Sequence, residues 1–94
     1  MIGSQRVTAD SVIGGSGKPI RLYEIVLKSG GSGSTVALKN GTSTSGTEYD
    51  SVAGTASVCV RVAYAGGLLF PDGLFVDCDA NTAYVTAIYS QEAS

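Results

Sequence analysis

Hydrophobic positions recur every second residue in short runs along the chain, and nowhere at the three-to-four-residue spacing of a helix, so the pattern predicts strands throughout. Residues 6–13 read as a first strand, stopped by Gly14-Gly15-Ser16-Gly17. Residues 20–28 give the strongest strand. Ile20 and Leu22 share one face, Ile25 and Leu27 fall one register later, and that slip predicts a bulge near Tyr23-Glu24. Residues 35–39 alternate with Val36 and Leu38 inward and end on Asn40-Gly41, a tight-turn dipeptide. A short strand follows over 47–52. Val58, Val60 and Val62 share a face opposite Cys59, Arg61 and Ala63, as in a half-buried antiparallel strand, and Gly66-Gly67 interrupts before Leu68-Leu69-Phe70. Beyond the Pro71-Asp72-Gly73 turn, Leu74, Val76 and Cys78 alternate against Phe75, Asp77 and Asp79. Asp79-Ala80-Asn81 then turns the chain into a last strand over 83–89.

About seven or eight short strands, punctuated by 13 glycines, predict an all-β antiparallel β-sandwich, either jelly-roll or immunoglobulin-like. The spacing leaves both topologies open. The Ser/Gly-rich stretch 29–34 is short and flanked by strand patterns, so it reads as a hairpin loop rather than a domain linker. The 94 residues suit one domain, 1–94, with short flexible ends at 1–5 and 91–94.

Composition narrows the chemistry. There is no His and no Trp, and charged residues make up 15% of the chain. Without His, the side chain that titrates near neutrality and the commonest nitrogen ligand for zinc are both missing. The expectation is a protein that is not an enzyme, with no catalytic residues, no metal and no cofactor. The net charge of −2 comes from six basic and eight acidic residues without runs, which argues against nucleic acid as a partner. No apolar stretch reaches the length of a membrane span, and the first residues lack a signal pattern, so the chain is expected to fold in a cytoplasm with Cys59 and Cys78 as free thiols.

Several local patterns invite sharper readings and do not carry them. Residues 14–18 evoke a phosphate-binding loop, but Val12 and Pro19 stand where that motif needs Gly and Ser or Thr, so they read as a Gly-rich turn. Asp77-Cys78-Asp79-Ala80-Asn81 opens like a calcium loop, with Asp72 across the hairpin, yet lacks the central Gly and closing Glu; turn hydrogen bonding is the better reading. Asn40-Gly41-Thr42 matches a glycosylation sequon and reads as a turn. Glu48 and Asp50, two apart and so on one strand face, read as a solvated edge rather than as an acid/base pair. Alternation places Cys78 with the core and Cys59 opposite, which disfavours a disulfide. Tyr23, Tyr49, Tyr64, Tyr84 and Tyr89 read as core rims and subunit contacts before a sugar site.

Three segments together carry a family resemblance. Lys18-Pro-Ile-Arg-Leu-Tyr-Glu-Ile-Val-Leu27, Ser34-Thr-Val-Ala-Leu-Lys-Asn-Gly-Thr-Ser-Thr-Ser-Gly-Thr47, and the pair Gly67-Leu-Leu-Phe-Pro-Asp-Gly-Leu-Phe-Val76 with Ala83-Tyr-Val-Thr-Ala-Ile-Tyr89 resemble small virion proteins of tailed bacteriophages. The resemblance spans most of the chain and rests on turn phrases and alternation. It implies a capsid decoration or cement protein that binds the outer head surface as a homo-oligomer, a trimer by preference. The major capsid protein would then be its partner, and it would be made in the host bacterial cytoplasm and end on the virion. The rival from another class is a tail-associated receptor- or carbohydrate-binding module using exposed tyrosines and loop carboxylates.

Overall fold

Eight strands account for most of residues 2–14 and 18–91, the part of the chain that the computed structural model describes. They are β1 (Ile2–Val7), β2 (Ser11–Ile13), β3 (Ile20–Ser29), β4 (Ser34–Asn40), β5 (Thr47–Gly54), β6 (Cys59–Phe70), β7 (Leu74–Cys78) and β8 (Thr82–Gln91), with no helix among the described residues. Two antiparallel four-stranded sheets result, β1-β8-β3-β6 (sheet A) and β2-β7-β4-β5 (sheet B). The pairs β1·β8, β2·β7, β3·β6 and β4·β5 are nested, like one long ribbon folded on itself. Rolling that ribbon adds the pairings β3·β8 and β4·β7. Nested pairing split over two sheets is the jelly-roll arrangement of eight strands, so the structure selects one of the two topologies that the alternation leaves open.

The alternation builds the core directly. Ile20, Leu22, Ile25, Leu27 and Val85 of sheet A face Ile13, Val36, Leu38, Leu74 and Val76 of sheet B, all fully buried. Each such side chain contributes about 1.5–3 kcal/mol of burial. Phe70 closes one end of this layer beneath the stacked ring of Tyr49, with centroids 5.1 Å apart.

The register of β3 shifts between Leu22 and Glu24 against both neighbours, which is the predicted bulge. On β6 the same irregularity spans Gly66 and Gly67, both left-handed, so what looks like a break in the sequence is one bent strand. Gly67 has no alternative here. A Cβ on it would lie 2.4 Å from Arg21 Cγ, and its φ of +84° disfavours any other residue.

Several expectations need correction. The run 6–13 is two strands in different sheets, with 8–10 crossing between them, because Val7 and Ile13 are each buried under a different sheet. The chain start, expected to be a flexible end over 1–5, is paired to β8 from Ile2 onward. The 29–34 loop is not a hairpin: β3 and β4 lie in opposite sheets, and the loop crosses the sandwich on a buried Ser29–Ser34 hydroxyl hydrogen bond of 2.8 Å. Its two ends are bridged rather than its strands. Val58 precedes β6 and is exposed. Part of the Gly-rich turn 14–18, and the tail beyond Gln91, lie outside the described residues.

Candidate interaction surface

The carboxylates singled out in the sequence are occupied by the fold. Asp79 accepts from the Asn81 amide at 3.0 Å and the Thr82 hydroxyl at 3.2 Å through one oxygen, and from the Thr35 amide at 2.8 Å through the other. Asp72 and Asn40 join two turns side chain to side chain and side chain to backbone, both at 2.9 Å, at the opposite end of β7 from Asp79. Asp77 pairs with Lys39 at 2.8 Å. Among the described residues no three metal-ligating side chains gather. Glu48 and Asp50 do not share a face. A bulge at Tyr49 puts Glu48 across from Lys39, outward, and Asp50 across from Leu38, inward.

One open cleft of about 540 Å³ lies between the 8–10 crossing and the 79–82 turn, lined by Thr8, Asp10, Cys78, Asp79 and Thr82 among others. Its thiol is held in the protonated form. Burial, and then the charges of Asp10, Asp77 and Asp79, push the Cys78 pKa up to about 11, so the thiolate that a nucleophile or metal ligand needs is suppressed at neutral pH. Asp10 is itself engaged by the Cys78 amide at 2.7 Å. Every buried side-chain nitrogen and oxygen among the described residues has a partner within the fold.

The two open sides of the sandwich are sealed by polar side chains. At the β5/β6 side, the Tyr64 hydroxyl donates to Asp50 at 2.7 Å, and burial together with this bond raises its pKa well above the usual tyrosine range. At the β1/β2 side, Gln5 serves both backbone polarities of β2's end: its amide donates to the Val12 carbonyl at 3.4 Å and its carbonyl accepts from the Gly14 amide at 3.0 Å. Gln5 thus occupies an edge that would otherwise be open to strand pairing.

What the fold assembles that the sequence does not display is a charged face. Register places Arg6, Arg21, Lys28 and Arg61 on the outward side of sheet A, with Glu24 as the acid among them. Four cations against one acid leave a net of +3. Arg6 lies over the Tyr84 ring at 4.0 Å, and Tyr84 in turn touches the exposed Cys59 thiol at 3.7 Å. Contact with Cys59 raises the Tyr84 hydroxyl pKa, against the opposing pull of Arg6. Arg61 is 3.2 Å from Glu24 and its side chain is 70% exposed. Apolar Ile2 and Leu69 stand exposed on the same side, at 61% and 39%.

Sheet B and the crossing turns carry the opposite sign. Among the described residues, Asp10, Glu48, Asp50, Asp72, Asp77 and Asp79 lie there against Lys39, a net of −5, while Lys18 sits on the approach to β3. The cations, scattered along the chain, are therefore segregated in space. The tyrosines are not: Tyr64 and Tyr89 pack against the core, Tyr23 bonds Ser90, and Tyr49 covers Phe70. Set against protein-family models, characterised proteins and solved structures, the chain matches none.

Proposed function

We propose that this chain is a structural virion protein of tailed bacteriophages, a capsid decoration or cement protein that works as a homo-oligomer, a trimer by preference, on the outside of the head. The observation that carries the reading is the outward face of sheet A: cationic and edged with exposed Ile2 and Leu69. Such a face is built to be covered. Jelly rolls also serve in viral capsids, an analogy of fold that agrees with the resemblance in sequence. The cleft, with its thiol held protonated, supports a binding role over a chemical one.

The test is to purify heads lacking this protein and add it back. It should co-sediment with them and raise the temperature at which they break, because a ligand that binds only the assembled state stabilises it by mass action. Heads that neither bind it nor gain heat resistance would refute the reading. Affinity for polysaccharide in that case would favour the tail-associated carbohydrate-binding alternative.

A further inference from the structure

We infer that the outward face of sheet A is the contact surface between copies of this chain, and that it docks on the acidic sheet B side of the next copy rather than on another sheet A. The inference rests on the homo-oligomer reading above and names the faces it uses.

Charge decides which faces can meet. Packing sheet A on sheet A about a twofold axis would set Arg6, Arg21, Lys28 and Arg61 against a second set of the same four, and like charges brought together at an interface cost several kcal/mol. Packing sheet A on the outward face of sheet B sets a net of +3 against Glu48 and Asp77 with Lys39, a net of −1, while Asp10, Asp72 and Asp79 add acid at the turns that rim that face. The same molecule carries both halves of a complementary pair.

Size agrees. The molecule measures 40 × 26 × 18 Å, and its short dimension is that of two stacked sheets with their outward side chains. The broad side outlines about 1,000 Å², enough for the roughly 800 Å² per partner that a specific interface buries. Exposed Ile2 and Leu69 supply apolar area that charge alone would not.

Symmetry then follows. A contact between two different faces of one chain is heterologous, and it closes into a ring when the rotation per step allows. The preferred trimer is one such ring.

Sedimentation of the full chain tests this. The unaltered protein should assemble near 0.1 M salt and dissociate toward monomer near 1 M, where the Debye length falls from about 10 Å to about 3 Å. Lys28→Glu with Arg61→Glu reverses the sign of sheet A's face and should weaken self-association at least about tenfold. Glu48→Lys with Asp77→Asn should do the same from the other side. Mixed together, the two impaired variants should form a one-to-one pair, since each keeps the face the other has lost; an isologous contact of sheet A with sheet A would instead leave the Glu48/Asp77 variant assembling on its own like the unaltered chain.

Circular dichroism and thermal melts confirm that each variant is folded. The mass of the unaltered chain at the two salt concentrations decides the matter independently of them. Assembly that ignores salt, or variants that assemble as the unaltered chain does, overturn the inference. A strict monomer that still protects heads overturns it together with the homo-oligomer reading, and leaves the head-binding role standing. Assembly as argued, in a protein that neither binds nor protects heads, leaves the inference standing and removes that function.

Discussion

Sheets A and B share one core and differ on their outsides. Sheet A is built of strands of 6, 10, 10 and 12 residues, sheet B of 3, 5, 7 and 8. The longer strands give sheet A the broader face, and outward positions on them carry the cations. Sheet B has fewer outward charges, Lys39 and Asp77 paired with one another and Glu48 beside them, and covers Phe75, which is 8% exposed although it points away from the core. Identical inward chemistry therefore supports two different outward roles. The core fixes where the faces are, and the outward residues decide what each face does.

The shared core is where a substitution should cost most. Phe70→Ala removes a fully buried ring that joins the two sheets through Tyr49, and should lower stability by about 3–5 kcal/mol in urea unfolding. A loss under about 1 kcal/mol would mean that the sheets do not depend on one another there.

Next comes the bend that shapes sheet A alone. Gly67→Ala forces a Cβ against Arg21 and a left-handed backbone on a residue that resists it, a cost of about 1–2 kcal/mol from the backbone before the clash is relieved. Gly31→Ala, which meets nothing within 4 Å, is the matched control and should be nearly silent. Equal melting temperatures for the two variants would contradict the bend's role.

The two seams offer a finer comparison. Tyr64→Phe deletes a hydrogen bond to a carboxylate and Gln5→Ala two to backbone, each at a half-buried position, so each should cost about 1 kcal/mol. The consequences should differ in kind. Opening the Gln5 seam frees the end of β2 for intermolecular pairing, so this variant should aggregate faster at equal stability, as light scattering would report.

The smallest effect is with pH. Cys78 rises from an ordinary 9.0 to about 11 on folding, so above pH 9 the unfolded chain gives up a proton that the folded chain keeps. The unfolded state then binds fewer protons, and stability must fall as pH rises from about 9 to about 11. Tyr64 extends the decline to higher pH in the same direction. Cys78→Ala should flatten the first part of that slope whatever it does to stability at neutral pH; an unchanged slope would assign the decline elsewhere.

Much of this architecture is legible in the sequence, for physical reasons. The phase change from Ile20 and Leu22 to Ile25 and Leu27 announces the β3 bulge, since a strand that keeps both pairs inward must absorb one residue between them. Asn40-Gly41 marks the end of β4 before the loop to β5, and Val36 and Leu38 point inward as their alternation requires. Alternation reports which side of its own strand a residue occupies, but not which sheet the strand joins. Residues 6–13 run without a Gly or Pro, so no turn residue marks that the chain changes sheet after Val7; the one local sign is the loss of alternation at Asp10-Ser11. The 29–34 loop has the same composition whether it closes a hairpin or crosses the sandwich.

The cationic face fell beyond reach for the same reason. Arg21 and Lys28 are outward by parity with Leu22 and Leu27, and Arg61 by parity with Val60 and Val62, but only the strand order brings β1, β3 and β6 into one sheet. Glu48 and Asp50 show the converse. Their spacing of two predicts a shared face, and the unsignalled bulge at Tyr49 separates them.

Cys59 gives the most direct measurement of the central claim, that sheet A's outward face is the covered one. It stands exposed on that face, while Cys78 is half-buried with its thiol held protonated, so a bulky maleimide at neutral pH reads Cys59 first. The account predicts that labelling slows at least about tenfold on going from dilute protein in high salt to concentrated protein in low salt, as the face becomes buried between copies. Equal labelling rates in a sample shown by sedimentation to be assembled would place the contact on another face and contradict the claim.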